Sequence, residues 1–250
     1  MTRVIEGGRP ASTCVGDTER VTPQRGAIRR FAPARVAIRI ALLVLGATLI
    51  AAGVAGSLWT GLGAGPLDVF ITSIVARWGV PITFVVWGMA VVMISIASML
   101  GRRAGPGTVL LPLVSGGLLP VFMNAFDHVG APNGVTALGV IVHITAVAVI
   151  GLGAGAVIVA GLGAGTGELL AGAASDHVRR PEPIVRTGVE LTWLACGIAL
   201  GGTFGLGTVI IAALIGPAVR SGHAAVSRSA TWARPHLVEL PVIRRALAAA

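Results

Sequence analysis

Two carboxylates sit where a membrane-embedded chain could use them. The pentapeptide GLGAG at 61–65 is followed three residues later by Asp68, and the same pentapeptide at 161–165 is followed three residues later by Glu168. A glycine-rich break leaves backbone N–H groups free beside a helix N-terminus, and within a bilayer such irregular backbone is tolerated where it is buried in protein or lines a watery cavity. Two breaks with an acid each suggest a paired site. Asp68 and Glu168 would hold a cation or proton, and the exposed amides around Gly63, Gly65, Gly163 and Gly165 would hold an anionic group. The bland alternative is that each acid only complements the dipole of its own helix.

Two further positions carry chemistry. Arg186 and Glu190 are spaced i, i+4, so they can pair on one helix face, with the arginine reaching the interface or the acid facing the bundle as a substrate or coupling group. His143 lies within a long apolar run, where it either relays protons or, as a neutral ring, hydrogen-bonds across the bundle to a residue such as threonine. No acid or cysteine stands near it at metal-ligand spacing, so no metal site is expected. The chain has no lysine for a P-loop, no G-x-S-x-G and no H-E-x-x-H. Neither an enzyme nor a cofactor is therefore expected, and no catalytic residue is assigned.

The elements that must position these residues are helices in a membrane. Hydrophobic residues make up 54% of the 250, charged residues only 12%, and the mean hydropathy is +0.87. Such a chain is too apolar for an ordinary soluble domain. Apolar runs at 40–59, 81–100, 107–126, 135–160 and 184–202 approach the roughly 20 residues needed to cross a bilayer, and a shorter one lies at 206–219. The GLGAG copies alone prove little, since a third stands at 151–155. The 100-residue offset gains support from Gly107-Thr108-Val109 with Gly207-Thr208-Val209, from Gly53 with Gly153, and from Gly105 with Gly205. The expected fold is an all-α polytopic bundle with internal duplication, made of a first membrane repeat at 36–126, an external loop at 127–134 and a second repeat at 135–222. Basic tails at 1–35 and 223–250 flank it, the first of them disordered.

The segments after each glycine-rich break decide the topology. Residues 66–78 would reach only about 20 Å as a helix, short of a hydrocarbon core of about 30 Å. Six full spans and two half-helices are therefore favoured, with the second half inverted relative to the first, over eight spans with parallel halves. All basic residues are arginine, and they gather beside the apolar runs without interleaved aromatics. The net charge of +9 is thus read as membrane orientation, with both termini cytoplasmic, and not as nucleic-acid binding. Cys14 and Cys196 should not meet, so no disulfide is expected.

These residues resemble the YczE/YitT-type family of bacterial multi-pass membrane proteins, on the YczE side, over about residues 35–222. Gly63, Gly65, Pro66 and Asp68 are similar to its glycine-rich signature with proline and aspartate. Arg186, Thr187 and Glu190 resemble R-T-x-x-E, residues 201–208 resemble G-G-x-x-G-x-G-T, and Ile215-Gly216-Pro217 resembles I-G-P. The chain departs from the family at 166–168, where Thr-Gly-Glu replaces Pro-Arg-Asp, so the family's arginine there has no counterpart. The resemblance implies a bacterial inner-membrane protein and supplies no substrate.

The expected function is a secondary-transporter-like permease for a small solute, with the lipid bilayer, that solute and a coupling ion as partners, and a homo-oligomer compatible with the chain. The alternative is a non-transporting scaffold or regulator acting through its basic tails, helped by an amphipathic helix within 235–250.

Overall fold

The computed structural model describes residues 33–130 and 135–229, with side chains from residue 36 onward; the expected tail helix at 235–250, Cys14, most of the N-terminal tail and part of the external loop lie outside them. Among the described residues there are eight helices and no strand: α1 (Pro33–Trp59), α2 (Pro66–Trp78), α3 (Ile82–Met99), α4 (Pro106–Asp127), α5 (Ala137–Ala160), α6 (Thr166–Val178), α7 (Glu182–Ala199) and α8 (Leu206–Ser229). α1, α3, α4, α5 and α8 are long and apolar enough to cross a membrane. α7, expected as a sixth span, has 18 residues but is not among those five, because Glu182, Arg186 and Glu190 interrupt its apolar run. α2 and α6 have 13 residues each and are the two half-helices.

Local chemistry sets these boundaries. Pro66 supplies a preformed first turn to α2, and Gly79, in the left-handed region at φ 65°, ends it. α8 is longer than its apolar run predicts: it passes Pro217 and continues to Ser229, and Gly222 keeps that end against α5.

The centre of the bundle is the pair α1 and α5, which cross through small residues. A Cβ on Gly46 would lie 2.6 Å from the Gly153 carbonyl oxygen and 2.8 Å from Val157, and one on Gly53 would lie 2.6 Å from Ile150. Close approach of this kind is how helices associate where lipid gives no hydrophobic drive. Position 46 thus meets 153 and 157 while 53 meets 146 and 150, so α1 and α5 run antiparallel. Eight alternating crossings would make them parallel, whereas two non-crossing half-helices make them antiparallel, as found. α4 lies along α1, and α8 along α5.

Contacts recur at an offset of 100 with the partners exchanged. The N–H of Gly107 donates to the Leu162 carbonyl at 2.9 Å, and that of Gly207 to the Leu62 carbonyl at 2.7 Å. Gly63 (φ 120°) lies against Thr208, and Gly163 (φ 148°) against Thr108; in each case a Cβ would come within 2.7 Å of the threonine hydroxyl, and the backbone angle itself demands glycine. α2 packs on α7, and α6 on α3. Each half-helix is therefore held by the other half of the chain.

One pairing breaks the pattern. α3 packs along α4, with Thr83 Oγ1 donating to the Gly116 carbonyl at 2.9 Å and Gly116 seated on Val86 and Trp87. α7 and α8 scarcely touch, and among the described residues Gly216 has nothing within 4 Å. α3 buries five residues, α7 only Gly197.

Candidate functional site

Asp68 is the third residue of α2, after Gly65 as N-cap and Pro66 as first helical residue. Its carboxylate turns back to accept the Gly65 N–H, so it caps its own helix, yet the residue is only half-buried and borders a cavity. Glu168 holds the same place in α6, its carboxylate lying against Gly165. Being one methylene longer, it also reaches α7, where Arg186 Nη2 stands 3.5 Å from it. Arg186 Nε donates to Glu190 one turn further along at 3.0 Å. A single guanidinium thus bridges two acids from different helices.

One turn beyond Glu190 comes Trp193, its ring 5.3 Å from that of Phe70 on α2 and its indole N–H buried without a partner among the described residues. These groups border a chamber of about 310 Å³ between the two half-helices, closed elsewhere by aliphatic side chains of α1, α5 and α8. Of the nine residues singled out in the sequence, the chamber gathers six: Gly65, Asp68, Gly165, Glu168, Arg186 and Glu190. A second cavity of about 200 Å³ adjoins it and lies between α2, α3 and α4, bordered by Val86, Met89, Ala90 and Leu119. Asp68, Thr166 and Met93 border both.

Three of the nine lie elsewhere. Gly63 and Gly163 form the turns that dock onto Thr208 and Thr108. His143 is fully buried in α5, its Nε2 3.1 Å from the Gly207 carbonyl and its Nδ1 3.0 Å from Thr60 Oγ1. A carbonyl only accepts, so Nε2 carries a proton and donates to Gly207, while the Thr60 hydroxyl lies between Nδ1 and the Ser57 carbonyl oxygen, which it approaches at 2.7 Å. The ring thus makes a contact across the bundle and fastens the turn that opens α8.

Trp193 and Thr166 were not singled out by sequence. Trp193 follows Glu190 by three residues, so helical periodicity already puts it on the same face. Thr166 stands where the first half has Pro66, and only the packing shows it facing both cavities.

Residues 28–223 match a family of unknown function, DUF6198. The chain belongs to this family. The match covers both half-helices, the chamber and the whole stretch over which the YczE-type resemblance runs. No curated protein and no solved structure matches this DUF6198 member.

Proposed function

We propose that this DUF6198 protein is a secondary-transporter-like permease of the YczE type that moves a small solute through the chamber between its two half-helices. The observation that carries this reading is the convergence of Asp68, Glu168, Arg186 and Glu190, from three separate elements, on one cavity. Charged side chains on membrane helices are rare and mark solute or ion pathways when they face the bundle. Antiparallel α1 and α5, together with contacts that recur at an offset of 100, support an inverted duplication. Transporters use that architecture to place a site near the midplane and alternate its access. The chain then lies in a bacterial inner membrane with both termini cytoplasmic, and performs no covalent chemistry.

A thermal-shift screen of solutes on the purified protein, repeated on the Asp68→Asn, Glu168→Gln double variant, tests the site. A solute should raise the Tm of the parent and not of the variant, and should enter proteoliposomes only with the parent. Uptake that is the same in both proteins would overturn the reading. Orientation is tested by a cysteine at Ala104 in a background lacking Cys14 and Cys196. Labelling by an impermeant thiol reagent from outside intact cells would contradict cytoplasmic termini.

A further inference from the structure

We infer that the solute is an amphipathic organic cation, its ammonium centre held in the charged chamber and its apolar group in the adjoining cavity against α3 and α4. This rests on the reading of the chamber as a solute site and adds the chemical class.

Charge comes first. Among the described residues, three carboxylates, Asp68, Glu168 and Glu190, face the chamber against one guanidinium, leaving two negative charges in excess when all are ionised. Arg186 is already engaged by Glu168 and Glu190. Asp68 receives only the Gly65 N–H, and among the described residues no arginine pairs with it. A carboxylate in such surroundings favours a counter-cation, because an uncompensated charge in a low-dielectric site is costly. An anionic solute would meet like charge and find the one guanidinium occupied.

The wall beside the acids fits an ammonium group. Trp193 borders the chamber, and indole is the most favourable side chain for cation–π attraction, worth about 0.5–2 kcal/mol. Its buried, unpartnered N–H also offers a donor to a polar substituent on the solute.

The neighbouring cavity supplies the second half of the recognition. At about 200 Å³, and with Ser115 as its one polar side chain besides Asp68 and Thr166, it exceeds the roughly 150 Å³ that suffices to bind benzene in an apolar protein interior. Asp68 borders both spaces, so a head group at this acid places its substituent in the apolar arm without crossing another polar surface.

Equilibrium dialysis of the full chain in lipid nanodiscs against benzyltrimethylammonium, tetramethylammonium and 3-phenylpropionate tests the assignment. Benzyltrimethylammonium should bind saturably and about tenfold more tightly than tetramethylammonium, with no saturable binding of phenylpropionate. Asp68→Asn should weaken both ammonium probes about tenfold. Ala90→Leu, which narrows the apolar arm, should weaken benzyltrimethylammonium alone; unchanged tetramethylammonium binding then shows that the variant is folded. Phenylpropionate binding that is lost in Asp68→Asn would overturn the cation class while keeping the chamber as a solute site. Failure of both ammonium probes would also overturn it, and if the solute screen were silent too, the permease reading would fall with it.

Discussion

Two helix seams stand 100 residues apart in the chain, α3 with α4 and α7 with α8, and they differ in both packing and polarity. Between α3 and α4 the seam is shut: Gly116 sits on Val86 and Trp87, and the cavity behind it is small and apolar. Between α7 and α8 it is open: Gly216 meets nothing, and the larger cavity holds charge. Arg186 and Glu190 stand where the first seam has Val86 and Ala90, and Trp193 where it has Met93. The difference teaches that a few side chains decide whether such a pair of helices packs or stays apart. Apolar positions let α3 bury five residues, whereas charges at the matching positions of α7 keep it from closing onto an apolar neighbour, because desolvating them is costly.

The sharpest test inserts the same side chain into both seams. Gly116→Leu forces a Cβ to within 2.9 Å of Val86 and 3.0 Å of the Trp87 ring. Such overpacking costs about 1–3 kcal/mol. Gly216→Leu meets open space and should change stability by less than about 0.5 kcal/mol. Unfolding of the two variants in mixed micelles measures both. Equal losses would mean that the α7–α8 seam is closed in the membrane and that the asymmetry is not a property of the molecule.

The second test concerns the helices that carry the seams. Leu43 packs on Gly107 in the first half, and His143 packs on Gly207 at the matching place in the second, both fully buried. His143→Leu would put at 143 the residue type found at 43, and removes both hydrogen bonds of the ring, although the Thr60 hydroxyl keeps the Ser57 carbonyl at 2.7 Å. That should destabilise by about 1–2 kcal/mol in the same unfolding measurement. No loss would show that the imidazole is packed as an apolar group and that its hydrogen bonds contribute nothing net.

A smaller effect is expected where the charges themselves are exchanged for their first-half counterparts. Arg186→Val strands Glu168 and Glu190 together and should lower stability by about 1 kcal/mol, a modest loss because all three groups are nearly half exposed. Arg186→Val combined with Glu190→Ala removes the repulsion and should recover most of it. A double variant no better than the single one would show that the Arg186–Glu190 pair is not coupled.

Much of this comparison was legible in the sequence, for physical reasons that also mark where reading stops. Pro66, Gly79 and the glycine turns at 61–65 and 161–165 act on the backbone locally, so the first half-helix could be bounded at both ends from residue type, and the second at its start alone. The acids followed from their place after those turns, and the Arg186–Glu190 pair from helical spacing. The bridge from Arg186 to Glu168 was not legible, since the two sit on different helices and only packing joins them. Nor was the open seam, because no periodicity records that two helices fail to meet. The full length of α8 was missed because Arg220 ends its apolar run, while the helix continues on the close contact of Gly222 with Gly151.

The smallest expected effect lies at the ends of the two half-helices. α2 ends at Gly79 with φ 65°, and α6 ends at Arg179 with φ 54°, the one described residue other than glycine with a positive φ. A left-handed conformation costs a residue with a Cβ about 1–2 kcal/mol, and glycine adopts it freely at the price of more entropy in the unfolded chain. Arg179→Gly makes the second half-helix end as the first does and should stabilise the protein by about 0.5 kcal/mol. The arginine side chain is exposed, so its removal costs little packing. A loss of stability would instead mean that this guanidinium holds something at the membrane surface, and the two half-helices would then differ at their ends as they do beside the chamber.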